Sequence, residues 1–398
     1  MTTPHSRRYD LDWLRIIAFG LLIFYHIGMF YVSWDFHVKS VHAGPDIEPL
    51  MKLINPWRMT VLFIISGVAL RFAMDKAPIG RFAWSRFWRL FLPLAFGVLV
   101  IVAPQSWLEL IEKGETTASF WTFYGDYLSA SLDYSIILPT WNHLWYVAYL
   151  IIYTFILIAL YPLVARLSKN RAALESKTPI LFFAVALGPI GIFALHELWL
   201  SELLPSTHAL FDDWGNHALY FPFLLFAFLA AKSERVWQII DRLFAPALFA
   251  VALLAAWQIF VWSLNEADLR DVPYIEIIAS AHMMVVPVYA WACILAAFGL
   301  VRRFANKPGR ALSYMTEAIF PWYILHQTFI VMFGFWFTRQ GLSPVLEFSL
   351  VTVSTFASCL MAHEYIIRRS SFLRPLFGLK THQAPKVKRS ETASVKTA

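Results

Sequence analysis

Ten stretches of predominantly apolar residues, most of them near the ~20 residues a helix needs to cross a lipid hydrocarbon core, constrain this chain more than any other feature. They lie near 13–33, 57–75, 88–105, 144–165, 179–197, 216–232, 243–264, 277–300, 313–337 and 344–367. The second, third, fifth and sixth are short or carry proline, so their ends are placed only to within several residues. The polar segments between the runs are too short to form a soluble domain. With 59% hydrophobic residues, 17% aromatic, 15% charged and a mean hydropathy of +0.58, the composition lies outside the soluble range. The expected fold is all-α, a polytopic bundle of about ten transmembrane helices over 1–375. A basic, Ser/Thr-bearing tail at 376–398 has too little apolar content to fold and is expected to be disordered.

Charge along the connections tests this helix count independently, because lysine and arginine collect in cytoplasmic loops. Arg71, Lys76, Arg81, Arg86 and Arg89 follow the second run, and Arg166, Lys169, Arg171 and Lys177 the fourth. Lys232, Arg235 and Arg242 follow the sixth, Arg302, Arg303, Lys307 and Arg310 the eighth, and Arg368, Arg369, Arg374 and Lys380 the tenth. The intervening connections are acidic or nearly free of positive charge: Glu109, Glu112, Glu115, Asp126 and Asp133 in one, Glu202, Asp212 and Asp213 in the next, Glu266, Asp268, Asp271 and Glu276 in the third. A missed or extra helix would invert the pattern downstream, and no inversion occurs. Both termini are therefore expected on the cytoplasmic side. The net charge of +7 is spread over helix ends, which argues for orientation and against a nucleic-acid partner. Ser6-Arg7-Arg8 before an apolar run looks like a twin-arginine signal, but no small-residue cleavage site follows, so the first run stays as a helix. Cys293 and Cys359 both sit in apolar runs and imply neither a disulfide framework nor a thiolate metal site.

Ionisable residues inside spanning helices are costly and are site candidates by default. Arg15 and His26 stand eleven residues apart in the first helix, three turns and ~16 Å along one face. The bland reading has Arg15 pairing with Asp12 and His26 hydrogen-bonded within the bundle. His326 falls at a comparable depth in the ninth helix and His143 opens the fourth. His196, His217 and His282 lie nearer the outer edge, where water can satisfy them. No His pair at i,i+3 or i,i+4 exists, so no metal is expected. No phosphate-binding Gly-rich loop, G-x-S-x-G or H-E-x-x-H occurs either. Arg86 and Arg89, at i,i+3 where the third helix enters from the cytoplasm, suit a polyanion, because guanidinium forks bind phosphate oxygens bidentately. Positive-inside anchoring explains such a cluster equally well.

Taken together these residues resemble the membrane-bound acyltransferase family 3, in its glucan-modifying branch. The resemblance begins at Leu11-Asp12-Trp13-Leu14-Arg15 and runs to Tyr25-His26. It continues through Asn55-Pro56-Trp57-Arg58, Leu62–Gly67, Arg86–Arg89 and His143-Leu144-Trp145-Tyr146 to Trp322-Tyr323-Ile324-Leu325-His326-Gln327. It implies a multi-pass protein of the bacterial inner membrane that moves a small acyl group, succinyl in the glucan branch, from a cytoplasmic acyl-CoA thioester to a carbohydrate hydroxyl outside. Acyl-CoA would be a co-substrate, with no bound cofactor. The resemblance carries catalysis to His26 and His326, donor binding to Arg15, Arg86 and Arg89, and acceptor binding to His143 and Trp145. His26 would serve either as general base or as the site of an acyl-histidine intermediate. A transporter or flippase for an anionic lipid or glycan precursor would use the same arginines without a base, although no clear internal repeat supports it. A scaffolding subunit is a third reading. Transfer across the membrane predicts a continuous tunnel from Arg86 and Arg89 to His26.

Overall fold

The computed structural model describes residues 8–169, 178–264 and 274–381. The connections 170–177 and 265–273, read above as inner and outer, lie outside the described residues, as does 382–398 of the expected tail. Among the described residues nine helices are long and apolar enough to cross a membrane. They are α1 Tyr9–Met29, α2 Glu48–Met74, α3 Ile79–Glu112, α4 Asn142–Ala159, α5 Thr178–Leu203, α7 Glu234–Ser263, α8 Ile275–Phe304, α9 Arg310–Phe337 and α10 Pro344–Ile367. A tenth, α6, is the shorter apolar helix Trp214–Ala230. Each expected run has its helix, and no strand occurs among the described residues. The chain is a multi-pass membrane protein.

Burial sorts the helices by position. In α9 two thirds of the apolar window is inside the protein, whereas in α7 only 11% is. Both are strongly apolar, so the difference measures which faces meet protein and which meet lipid. α1 packs against α2, α8, α9 and α10, burying Leu14, Phe19, Leu22, Ile23 and Ile27. In lipid such contacts rest on close fit more than on expulsion of water. Gly67 of α2 shows the fit, since a Cβ there would collide with the backbone carbonyl of Leu224 in α6.

α3 is not a regular α-helix throughout. Gly97–Ile101 forms a π-helical turn in mid-span, and the carbonyls it turns outward find side-chain donors. Tyr127 donates to Val98 O at 2.7 Å and Tyr124 to Leu99 O at 3.0 Å. Thr328 of α9 donates to Ile101 O at 2.7 Å. Such turns survive where other groups satisfy the freed backbone, and this one ties α3 to α9 beside His326. The first part of the expected tail packs on the bundle: Phe377 is buried, 5.4 Å from Phe96 between ring centres.

Candidate active site

The C-terminal half of α1, the middle of α9 and the first turn of α4 bring three histidines together. The His26 and His326 rings lie nearly parallel, centres 5.0 Å apart, with Nδ1 of His26 2.7 Å from Nε2 of His326. His143 stands edge-on to both, at 6.4 Å and 5.0 Å. The hydrogen bonds fix the tautomers. His326 Nδ1 is 2.7 Å from the carbonyl of Tyr323, an acceptor only, so it carries the proton. Nε2 of neutral His326 is then an acceptor, and His26 must donate from Nδ1. That leaves a lone pair on Nε2 of His26, which has no protein partner among the described residues and belongs to a residue lining a cavity. His143 is held in turn: its Nε2 donates to Ile324 O at 3.1 Å, and its own carbonyl accepts from the Tyr323 hydroxyl at 2.6 Å. Nδ1 of His143 is buried with no partner, and no group of three or more His, Cys, Asp or Glu that could hold a metal ion occurs among the described residues.

A second polar chain abuts this cluster. Glu109 accepts from His37 Nδ1 at 2.5 Å, His37 Nε2 accepts from Gln327 at 2.8 Å, and Gln327 donates to Gln105 Oε1 at 3.1 Å. Gln105 also accepts from Asn142 at 3.1 Å and donates to Thr328 at 2.7 Å. Sequence reasoning missed His37, Gln105 and Glu109. His37 reads as a loop histidine and Glu109 as an outer-loop charge, and only the adjacency of Gln327 to His326 in sequence hinted at the network.

The cavity bordered by these groups holds about 640 Å³, within the usual range of ligand sites. Trp141, Trp145, Tyr25 and Phe36 give it aromatic walls, and Asp35, Arg58, Thr207 and His208 add polar groups. Flat aromatic faces beside hydrogen-bonding groups suit a sugar ring, whose own surface alternates C–H and hydroxyl. Trp145 is held by His208 and Tyr149, with ring centres 4.7 Å and 5.1 Å away. The other outer histidines stand apart from the cavity. His217 bonds the Tyr153 hydroxyl at 2.8 Å, and His282 packs beside Trp262.

At the other end of the bundle, Arg86 and Arg89 line a separate cavity of about 570 Å³ with Lys76, Trp88 and Lys380. Among the described residues no carboxylate lines it. Arg15 interacts electrostatically with both arginines while donating to Asp12 at 2.6 Å, so the pairing expected on spacing grounds forms and the residue still reaches the cluster. Nε of Arg15 and Nε of Arg86 are buried without an acceptor. Glu317, near the start of α9, pairs with Arg374 at 2.9 Å and Arg368 at 3.7 Å.

The two cavities share no lining residue. Between the clusters lie the buried rings of Phe19, Tyr146 and Tyr323, with centres 4.9 to 6.2 Å apart. Tyr146 is further fixed by Ser66 at 2.6 Å. The open tunnel expected between Arg86, Arg89 and His26 is therefore absent from the described cavities. An aromatic layer occupies the place where it would run.

A membrane bundle with a hydrogen-bonded histidine pair beside a cavity at one end and the arginines Arg86 and Arg89 lining another cavity at the other end carries polar groups that a group-transfer enzyme could use. The sequence profile of the acyltransferase domain matches residues 8–364, nearly the whole chain, and the protein belongs to that family of acyltransferases. Over 372 residues it is 23% identical to glucans biosynthesis protein C of Shigella dysenteriae serotype 1 (strain Sd197), covering 92% of this chain and 93% of that one. The same identity and coverage relate it to glucans biosynthesis protein C of Escherichia coli (strain K12). No solved structure matches it.

Proposed function

We propose that the protein is an O-acyltransferase that takes a small acyl group, succinyl in the first instance, from a cytoplasmic coenzyme A thioester and places it on a glycan hydroxyl outside the bacterial inner membrane. In this reading 1–375 is the catalytic bundle, 376–398 is a cytoplasmic tail, and both termini are cytoplasmic. The observation that carries the mechanism is the free lone pair on Nε2 of His26, set by the bond from its Nδ1 to His326.

The acceptor hydroxyl gives its proton to Nε2 as its oxygen attacks the thioester carbonyl. The imidazolium formed shares its Nδ1 proton with neutral His326, whose tautomer the Tyr323 carbonyl holds. The C–S bond then breaks, and the proton on Nε2 passes to the departing thiolate. A positioned base of this kind contributes about 10²–10⁴ in rate. Arg86, Arg89 and Arg15 supply the positive field for the phosphates of the donor, while Trp145 and the helical turn around His143 shape the acceptor site. Glucan enters this reading from the names of the relatives and from the aromatic walls of the cavity.

The test uses protein in proteoliposomes with succinyl-coenzyme A and a glucan oligosaccharide. His26→Ala should unfold at the wild-type temperature and lose transfer about 10³-fold or more. Normal acylation by that variant would overturn the mechanism. Movement of an anionic lipid or glycan precursor by wild-type protein without thioester cleavage would favour the carrier instead.

A further inference from the structure

Arg58 is a cation in the histidine-end cavity that the protein leaves without a counter-ion. It is one of the lining residues and lies within helix α2, yet no carboxylate forms an ion pair with it among the described residues. Its guanidinium lies on the face of Tyr25, 3.6 Å from the ring centre. One nitrogen, Nη1, donates to the backbone carbonyl of Asn55 at 2.9 Å and to the Asn55 side-chain oxygen. Nε is buried with no acceptor, and Nη2 has no protein partner among the described residues.

The unused nitrogens are the two that form the side-on fork of a guanidinium. The same edge of Arg302 holds Asp241 through two bonds of 2.7 Å, so this chain already shows what that fork does when a carboxylate is in reach. The carboxylate lining the cavity, Asp35, interacts electrostatically with Lys39. Placing an unpaired charge in a membrane helix is costly, and leaving a buried N–H without an acceptor adds to the cost. Tyr25 and Asn55 fix the orientation of the group and neutralise none of its charge.

We propose that Arg58 is the anion-recognition residue of this cavity, gripping through Nε and Nη2 a carboxylate-like group on the substrate bound beside His26. The inference rests on the acyltransferase reading only for which substrate carries that group. The anion belongs either to the far end of a dicarboxylic acyl chain or to an acidic sugar of the acceptor. Arg58 acts electrostatically on His26, so an anion on Arg58 lies within reach of the reacting hydroxyl in either case. Arg58 would then make the site selective for charge and would position the substrate.

Binding to the full chain in nanodiscs, measured by calorimetry, separates the sources without needing turnover. The probes are succinate against succinamide and glucuronate against glucose. One anion of the two pairs should bind at least about tenfold more tightly than its neutral partner. Arg58→Met should abolish that preference and Arg58→Lys should keep part of it, because lysine retains the charge without the fork. Preference for succinate assigns the anion to the acyl group, and preference for glucuronate assigns it to the acceptor. Equal binding of charged and neutral probes by wild-type protein would overturn the proposal, and this arm does not depend on any variant folding. An anion preference that persists in Arg58→Met would overturn it as well. Anion binding at Arg58 in a protein that transfers no acyl group would sink the acyltransferase mechanism and leave this site standing.

Discussion

At the scale of single residues, the arrangement around His26 shows why sequence could single out His26 and His326 but not the bond between them. Arg15 and His26 were legible because an ionisable residue in an apolar helix is conspicuous, and their spacing put them on one face. The direct bond between His26 and His326 was not legible, because the two histidines are 300 positions apart and are brought together only by the packing of α1 on α9. Carboxylates are the usual partners of a catalytic histidine, and here the group bonded to His26 is His326, itself backed by the Tyr323 carbonyl; the proposed base would thus be oriented by a neutral group. A neutral acceptor stabilises the imidazolium less than a carboxylate does. It also places no second charge in the membrane interior, where one is costly. This predicts a graded response at position 326. His326→Ala removes the acceptor for His26 Nδ1–H and frees the other tautomer, so transfer should fall by about 10². His326→Gln can still present an oxygen to Nδ1–H and should recover a measurable part of the loss, with the pH profile of kcat shifted from that of wild type. If Ala and Gln were equally impaired, or if neither were impaired, His326 would not be the positioning residue.

At the scale of elements, helix existence was readable throughout while the connections that finish the site were not. Hydropathy gave all ten helices because lipid demands long apolar segments with internally satisfied backbones. The segment before α6 carries no such signal, yet Thr207, His208 and Ala209 reach the cavity from it. Asp213 holds it in place. This buried carboxylate accepts from the backbone of Thr207 and of His208, each at 3.1 Å, from Asn216 at 2.8 Å, and from the Tyr149 hydroxyl. Sequence reading took Asp213 for an outer-loop charge. Burial alone would raise its pKa, but the hydrogen bonds from Tyr149, Asn216 and Thr207 outweigh burial and hold it below the ordinary carboxylate value. A depressed carboxylate adds stability that is complete above the unfolded-state pKa and is lost as pH falls through the folded value. Asp213→Asn should therefore be less stable than wild type by about 2 kcal/mol at neutral pH. The gap should close as pH falls below about 4. Thermal unfolding at a series of pH values measures it, and a gap that stayed constant into acid would contradict the role given to the carboxylate.

At the scale of the whole molecule, the arrangement places two cavities at opposite ends of the bundle with aromatic rings between them. Arg89 and Glu109 are twenty residues apart along α3, ~30 Å of helical rise, so one helix carries both the arginine cluster and the acid that binds His37. The alternation of charge along the chain implied this polarity, and the sequence could not show that the two described cavities do not meet. Shape complementarity of Phe19, Tyr146 and Tyr323 arises from three helices remote in sequence and leaves no local pattern. The layer counts against passage of an extended thioester in the conformation described, so the proposed transfer requires the rings to part. The polarity itself can be measured through cysteine. Cys293 and Cys359 are both buried, so a membrane-impermeant maleimide should label the wild-type protein weakly. Ser85 lines the arginine-end cavity and Ala209 the histidine-end cavity, and both are exposed. Ser85→Cys should label only when the cytoplasmic face is presented to the reagent, and Ala209→Cys only from the opposite face. On the proposed reading the arginine-end cavity holds the donor, so saturating coenzyme A should protect Ser85→Cys and leave Ala209→Cys reactive. Labelling of both cysteines from one face would refute a bundle with its donor and acceptor sites on opposite sides of the membrane.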